Sequence, residues 1–184
     1  MPNIKASDVA KLSQYERDAG IDNGAPLGKH NVKVERAEVR KDDKGVPQIF
    51  TLLRVKGGDA DNRTIPNSCR WFVNETNQDG SAKDATKIKQ GQSFVRQSTM
   101  SFIKAVLGKD IASWPDSVVL PGDDVTLAEV AEAFATIAEA ITGREASVEV
   151  TTRYEKDKAT GKSVETDYQN FKFTEASEET TFKL

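Results

Sequence analysis

The segment "KHNVKVERAEVR" (29–40) alternates apolar and polar residues but changes phase part-way along. Val32 and Val34 share one parity, whereas Ala37 and Val39 share the opposite one. A β-bulge produces a one-residue slip of this kind, and it bends and coils the strand that contains it. We therefore predict a coiled, bulged first strand, which restricts the folds that the rest of the chain can complete.

Two more strands are predicted after the turn "KDDKG" (41–45). The second, "PQIFTLLRV" (47–55), alternates clearly, and its inward face carries Ile49, Leu53 and Val55. The third is "NRTIPNSCRWFVN" (62–74), in which Pro66 favours a sheet edge or a bulge. The chain therefore opens with three consecutive strands.

Residues 75–91 contain almost no large apolar side chains and are predicted to form a mobile surface loop. A helical insertion is predicted over residues 92–143, in two segments. The first, "SFVRQSTMSFIKAVLG", ends at Gly108. The second begins with the capping-box pair Thr126 and Glu129. Its predicted core stripe consists of Leu127, Val130, Ala131, Phe134, Ile137, Ala138 and Ile141.

A β-hairpin is predicted to complete the domain, with strands in "EASVEVTTRY" (145–154) and "ETDYQNFKF" (165–173). Alternation places four side chains inward, namely Val148, Val150, Phe171 and Phe173. The predicted organisation is thus a flexible N-terminal arm (1–27), one domain (28–174) and a C-terminal tail (175–184).

The order of three strands, two helices and two strands, with a coiled first strand, is the layout of the OB-fold. We therefore predict a mainly β, α+β fold: a five-stranded OB-fold barrel of order β1-β2-β3-α-α-β4-β5. That fold binds oligonucleotides and oligosaccharides on its strand 2–3 face and on the loops after strands 1 and 4. Here those loops are "KDDKG" and "EKDKATGK" (155–162).

Single-strand binding needs flat partners for the bases and cations for the phosphates. The candidate aromatic residues are Phe50, Trp71, Phe72, Tyr154 and Tyr168. The cations interleaved with them are Arg54, Lys56, Arg70, Arg153, Lys156, Lys158, Lys162 and Lys172. The phase at Trp71 fits both a core residue and a stacking platform, and the sequence leaves the two open. We expect stacking along strands 2 and 3 and a cationic clamp at the hairpin tip.

Several segments within residues 26–173 together resemble the single-stranded DNA-binding proteins of tailed bacteriophages. These segments are "PLGKHNVKVERAEVR", "IFTLLRV", "CRWFVN", "FIKAVLG", "AITGREASVEV" and "DYQNFKF". The resemblance implies an OB-fold protein that coats and protects single strands, without sequence preference, in phage replication or recombination. Many single-strand binders also recruit replication proteins through an acidic tail with an apolar end. Here "EASEETTFKL" is only weakly acidic and ends in "FKL".

The motifs expected of an enzyme or a metal site are missing from the sequence. His30 has no Cys or Asp at metal-ligand spacing, no phosphate-loop lysine follows a glycine pattern, and no G-x-S-x-G occurs. Asp123 and Asp124 fit a helix N-terminus, and Cys69 fits a buried strand position. We therefore predict a protein that is not an enzyme and has no cofactor or metal.

Composition leaves alternatives open. The net charge of −3 counts against a globally basic nucleic-acid binder. The main alternative is a protein-interaction or virion-assembly module built on the same barrel, and carbohydrate binding is a weaker one. One cysteine, no long apolar run and no signal-like N-terminus predict a cytoplasmic protein with no membrane partner, in a bacterial host if phage-encoded. RNA binding, homo-oligomers, cooperative assembly on DNA and partners for the tail also stay open.

Overall fold

The computed structural model describes residues 25–73, 75–77, 80–157 and 160–176. Residues 167 and 168 are described by their backbone only. The predicted arm up to residue 24, Lys158 at the hairpin tip and the tail from residue 177 lie outside the described residues. Within the described ranges, no helix combines the length and apolarity needed to cross a membrane.

Five antiparallel strands form one sheet in the order β3-β2-β1-β4-β5. The strands are β1 (Gly28–Lys41), β2 (Pro47–Lys56), β3 (Thr64–Arg70), β4 (Glu145–Lys156) and β5 (Ser163–Thr174). Between β3 and β4 lie α1 (Ala85–Leu107), a short 3-10 turn (Ile111–Ser113) and α2 (Leu127–Ile141). The predicted α+β class and element order are confirmed. In the described part of the chain the sheet is open, with β3 and β5 as its edges.

The predicted bulge in β1 is confirmed. Pairing with β2 shifts register between Val34 and Arg36, so that Glu35 is the extra residue. Beyond the shift, Ala37 and Val39 pack against the core. The bulge therefore keeps the apolar residues of β1 inward along the strand, although their sequence parity changes.

The core lies between the inner face of the sheet and the two helices. Along β2, buried and half-buried positions alternate, as the period of the sequence predicts. The largest fully buried side chains include Ile49, Leu53, Ile65, Phe102, Ile103, Phe134, Ile137 and Ile141. Each such side chain contributes about 1.5–3 kcal/mol through burial, which makes this layer the main source of stability.

Helix α1 begins at Ala85, so the prediction of a loop through residue 91 is wrong. Asp84 caps the helix by accepting hydrogen bonds from the backbone N–H groups of Thr86 at 2.9 Å and Lys87 at 3.2 Å. The first buried residue of the helix is Thr99. The turns before it contain no fully buried residue and, up to residue 92, only one large apolar side chain, Ile88, so they carry no apolar stripe for a periodicity argument to detect.

Helix α2 agrees with the sequence at both ends. Thr126 and Glu129 form the capping box, and the last helical residue, Ile141, lies two positions before Gly143. Two residues of the predicted core stripe differ, because Ala131 is only half-buried, with Ala133 buried in its place, and Leu127 is 46% exposed. Leu127 lies in the first turn, where the helix enters from the protein surface.

Helix α1 packs against both edges of the sheet, β3 and β5. Phe102 meets Phe173 of β5 edge to face, with ring centroids 4.7 Å apart, and Phe171 and Phe173 are partly buried against the core, as predicted. β3 ends at Arg70 instead of residue 74, because side chains of α1 take over its backbone hydrogen bonds from that point. Pro66 accordingly lies in an edge strand.

Candidate nucleic-acid interface

The outward side of β1, β2 and β3 gathers cationic residues around one aromatic ring. Cross-strand register places Arg40, Gln48 and Arg70 in one row, Glu38, Phe50 and Ser68 in the next, and Arg36, Leu52 and Pro66 in the third. Arg54 follows one step further along β2, opposite Lys33. We call this surface the arginine face; it is defined by Arg36, Arg40, Arg54, Arg70 and Phe50.

Phe50 and Arg40 form a stack at the centre of the arginine face. The guanidinium carbon of Arg40 lies 3.8 Å from the centroid of the Phe50 ring, which is a close cation–π contact. Phe50 is half-buried in the surface of the sheet, whereas Arg40 is exposed. Both a ring and a guanidinium plane are partners on which nucleobases stack.

Carboxylates neutralise part of this positive charge. Glu38 forms ion pairs with both Arg36 and Arg40. Hydrogen bonding from Arg40, followed by that from Arg36, lowers the pKa of Glu38, although partial burial acts against it. Glu35, the bulge residue, accepts from Arg54 Nη2 at 2.7 Å and from its Nε at 3.1 Å. The bulge thus places a carboxylate beside a cation of β2.

Arg70 is held by the turn between β1 and β2. Its Nη1 lies 3.6 Å from Asp42 Oδ2, and the Asp42 side chain is 4% exposed. Asp42 Oδ1 accepts from the backbone N–H groups of Lys44 at 3.0 Å and Val46 at 2.9 Å. The turn "KDDKG" therefore positions an arginine of the neighbouring strand as well as reversing the chain.

Trp71 belongs to the core, which decides between the two interpretations that the sequence left open. Its side chain is buried, and its indole Nε1–H donates to the Gly122 carbonyl at 2.9 Å. We therefore remove Trp71 from the set of candidate stacking residues. Because β3 ends at Arg70, the inward–outward alternation of the strand does not extend to Trp71. The sequence pattern therefore could not decide which way the Trp71 side chain turns.

Phe72 lies beyond the end of β3, beside a groove. The groove measures ≈ 440 Å³ and is lined by Lys44, Val46, Phe72, Val73, Glu75, Gln92, Val125, Thr126 and Leu127. The guanidinium of Arg96 lies 5.8 Å from the Phe72 ring centroid. The cation beside Phe72 is therefore Arg96 of α1, which is not part of the arginine face, and Phe72 belongs to a more apolar surface.

The described part of the hairpin tip interleaves cations with carboxylates, and the cationic clamp stays a prediction because Lys158 lies outside the described residues. Among its described residues, three cations, Arg153, Lys156 and Lys162, accompany three carboxylates, Glu155, Asp157 and Glu165. Arg153 itself pairs with Glu155 at 2.9 Å. Tyr154 is 60% exposed and available for stacking. Lys158 and the side chain of Tyr168 lie outside the described part, so their predicted roles stay predictions.

The hairpin and the arginine face occupy different ends of β1. Gly28, the first residue of β1, pairs with Val150, and the hairpin continues past it. Arg40 and Arg70 lie at the other end of β1 in the sheet register. The hairpin and the arginine face are therefore two separate candidate surfaces, which β1 connects.

Two predicted lysines lie between these surfaces next to acidic residues. Lys56, at the end of β2, forms an ion pair with Glu145 of β4. Lys172 in β5 is exposed and lies opposite Glu149 of β4. Their contribution to a positive potential is accordingly weaker than the sequence alone indicated.

Arg36 and Arg40 are the residues that the sequence-based site omitted. The phase slip in β1 was visible, and it implies that residues of even number turn outward after the bulge. If Ala37 and Val39 face inward after the slip, the alternating residues Arg36 and Arg40 face outward, and this pattern identifies both arginines. Both arginines lie on β1, whereas the sequence-based site took its residues from strands 2 and 3 and from the closing hairpin.

The other side chains that could be chemically reactive, Cys69, His30 and Asp123, are buried or have partners within the fold. Burial raises the pKa of the Cys69 thiol to about 12, which disfavours a nucleophilic thiolate. His30 Nε2 lies 2.9 Å from the backbone carbonyl of Pro26, and Asp123 pairs with Arg96. In the described ranges, no three His, Cys, Asp or Glu side chains are grouped so as to hold a metal ion.

Comparison with known proteins gives no assignment. No protein-family model matches the chain, and no curated protein sequence matches it at a significant level.

Proposed function

We propose that this protein binds single-stranded DNA without sequence preference, through the arginine face, and has no catalytic activity. The observation that carries the proposal is the Arg40–Phe50 stack at 3.8 Å, flanked on the same open β-surface by Arg36, Arg54 and Arg70. The stack offers flat partners to the bases, and the flanking guanidinium groups offer bidentate contacts to phosphates. We further propose that it coats strands during phage replication or recombination in the host cytoplasm.

The sheet topology supports an OB-like arrangement for this protein. A bulged β1 pairs with both β2 and β4, and the helices lie between β3 and β4. Helix α1 contacts both edges, β3 and β5, at the place where a closed barrel would pair them. In OB-folds the face of strands 2 and 3 is the usual oligonucleotide site. The arginine face includes that surface and extends it onto β1.

The acidic net charge is compatible with binding because the relevant field is local. Five cations, Lys33, Arg36, Arg40, Arg54 and Arg70, share this surface with three carboxylates, Glu35, Glu38 and Asp42. At physiological salt, charges farther away than about 8 Å are largely screened. A strand that approaches the arginine face therefore meets a local excess of positive charge.

The test is a titration of labelled oligo-dT followed by fluorescence anisotropy. Anisotropy is preferable to intrinsic fluorescence because Trp71 and Trp114 are both buried. We expect binding that weakens from about 50 mM to about 200 mM salt, with a log–log slope of about −0.7 per phosphate contact. A duplex of matched length should bind weakly. Absence of binding to single strands at low salt would overturn the proposal.

A protein-docking module is the second candidate, and the groove beside Phe72 favours it. Its apolar lining includes Val46, Val73, Val125 and Leu127, and Phe94 on the nearby helix α1 is 72% exposed. A docking surface of this kind gives binding that depends little on salt. In the oligo-dT titration this candidate predicts no binding to the single strand even at low salt, which distinguishes it from the first.

A further inference from the structure

Every arginine of the arginine face has a carboxylate as an intramolecular partner. Glu38 bridges Arg36 and Arg40, with the Arg36 Nη2–Glu38 Oε2 distance at 2.5 Å. Glu35 accepts hydrogen bonds from Nη2 and Nε of Arg54, and Asp42 lies beside Arg70. The arginine face is thus a cationic surface whose guanidinium groups are already paired with carboxylates of the same chain.

These carboxylates occupy positions that a phosphate would need. A guanidinium offers planar pairs of N–H donors that fit either a carboxylate or a phosphate. In the Glu35–Arg54 contact, Nη2 and Nε both donate to Oε2, at 2.7 Å and 3.1 Å, so one donor edge is already used. A bound phosphate must therefore displace the carboxylate or accept a poorer contact on the remaining edge.

We propose that Glu35 and Glu38 are specificity-determining competitors that weaken the binding of single-stranded DNA to the arginine face and so keep it reversible. This inference rests on the proposed function. Exposed ion pairs are individually weak, which lets a polyanion with many phosphates displace them while an isolated anion does not. The carboxylates hold the arginines in an extended, ordered arrangement between binding events, and they return when the strand leaves.

Asp42 is excluded from this role by its other contacts. Its Oδ1 accepts from two backbone N–H groups of the β1–β2 turn, so its substitution would change the turn as well as the charge. Glu38 is the better probe because one substitution releases Arg36 and Arg40 together. Glutamine at this position keeps the length and shape of the side chain, removes the negative charge and replaces one acceptor oxygen with an NH2 donor.

The experiment compares Glu38→Gln with the wild type in oligo-dT titrations at several salt concentrations. We expect about three- to tenfold tighter binding at low salt, because two exposed ion pairs no longer compete. The salt slope should become steeper, because more phosphates are then neutralised. Glu35→Gln is the second variant and should act in the same direction through Arg54, whose Nη1 remains bonded to the Asn62 carbonyl at 2.8 Å.

Glu139→Gln is the matched control for a change of net charge. Glu139 is exposed on α2, the helix that packs on the inner face of the sheet, and its substitution should change affinity less than about twofold. If the wild type binds oligo-dT but both Glu38→Gln and Glu35→Gln leave affinity unchanged, the competitor role is overturned and the proposed function stands. If neither the wild type nor the variants bind at low salt, both proposals are overturned.

Discussion

The side chain of Thr99 in α1 forms two hydrogen bonds with the backbone of Arg70, at the end of β3. They replace the bonds that a neighbouring strand would form there. The Arg70 N–H donates to Thr99 Oγ1 at 3.0 Å, and the Thr99 hydroxyl donates to the Arg70 carbonyl at 2.8 Å. An unpaired edge strand exposes a row of such groups, and a helix covers them here. The same residue therefore ends the strand and fixes the backbone from which the Arg70 side chain reaches the arginine face.

Thr99→Val removes both hydrogen bonds while keeping the shape of the side chain. Because Thr99 is buried, the N–H and carbonyl groups of Arg70 would lose their partner away from water. We expect a loss of about 1–3 kcal/mol in the free energy of unfolding, measured by urea denaturation. Thr86→Val, at an exposed position in the first turn of the same helix, should change it by less than about 0.5 kcal/mol. Equal effects of the two substitutions would contradict this role of Thr99.

Phe50→Ala tests the proposed stacking platform. Loss of the ring removes the partner of both a base and Arg40, and we expect a loss of about 1–3 kcal/mol in the free energy of oligo-dT binding. The control is Phe94→Ala, which removes an equally large and more exposed ring from α1. The arginine face is the wrong surface if Phe94→Ala weakens binding as much as Phe50→Ala does.

Tyr154→Ala tests whether the hairpin contributes. Tyr154 is the one exposed aromatic side chain among the described residues of the hairpin tip, and the cations described beside it are interleaved with carboxylates. We expect a smaller loss of oligo-dT affinity than for Phe50→Ala, at most about threefold, in the same anisotropy assay. A larger loss for Tyr154→Ala would move the principal site from the arginine face to the hairpin.

The lowered pKa of Glu129 predicts how the stability of the fold changes at acid pH. Hydrogen bonds from the backbone and then the side chain of Thr126 lower the pKa of Glu129 from 4.5. A carboxyl group whose pKa is lower in the folded state stabilises the fold above its unfolded pKa, and this contribution is lost as pH falls through the folded pKa. The wild type should therefore lose more of its Tm than Glu129→Gln between about pH 6 and about pH 3.

Thermal unfolding followed by circular dichroism at a series of pH values provides the measurement. Glu132→Gln, one turn further along α2 and exposed, is the matched control and should follow the wild type. Parallel pH curves for the wild type and Glu129→Gln would show that the capping box does not carry the effect.

The sequence was sufficient wherever a local pattern reports a local conformation. The one-residue slip between Val34 and Ala37 predicted the bulge, and the Thr126–Glu129 pair predicted the start of α2. Pro66 predicted an edge strand or a bulge, and it lies in the edge strand β3. Each of these features depends on backbone geometry or on side chains within a few residues, so no knowledge of the remaining chain was needed.

The site was less accessible, because its charge balance depends on which residues of different strands meet. Lys56, for example, looked like a free cation in the sequence, whereas it forms an ion pair with Glu145 of β4, and register places Glu165 of β5 opposite Tyr154 of β4. The contact between Arg40 and Phe50 could be inferred only when both the bulge in β1 and the pairing of β1 with β2 were known.

By itself, then, the sequence determined the order of elements, the bulge and the inward face of each strand, because hydrophobic periodicity and capping act within single elements. Tertiary structure alone decided that Thr99 terminates β3, that Trp71 is buried and that Glu35 and Glu38 accompany the arginines. Apart from the pairs of Glu38 with Arg36 and Arg40 within β1, these are contacts between residues distant in the chain. Their free energy depends on distance and burial, and neither quantity is written in a linear pattern.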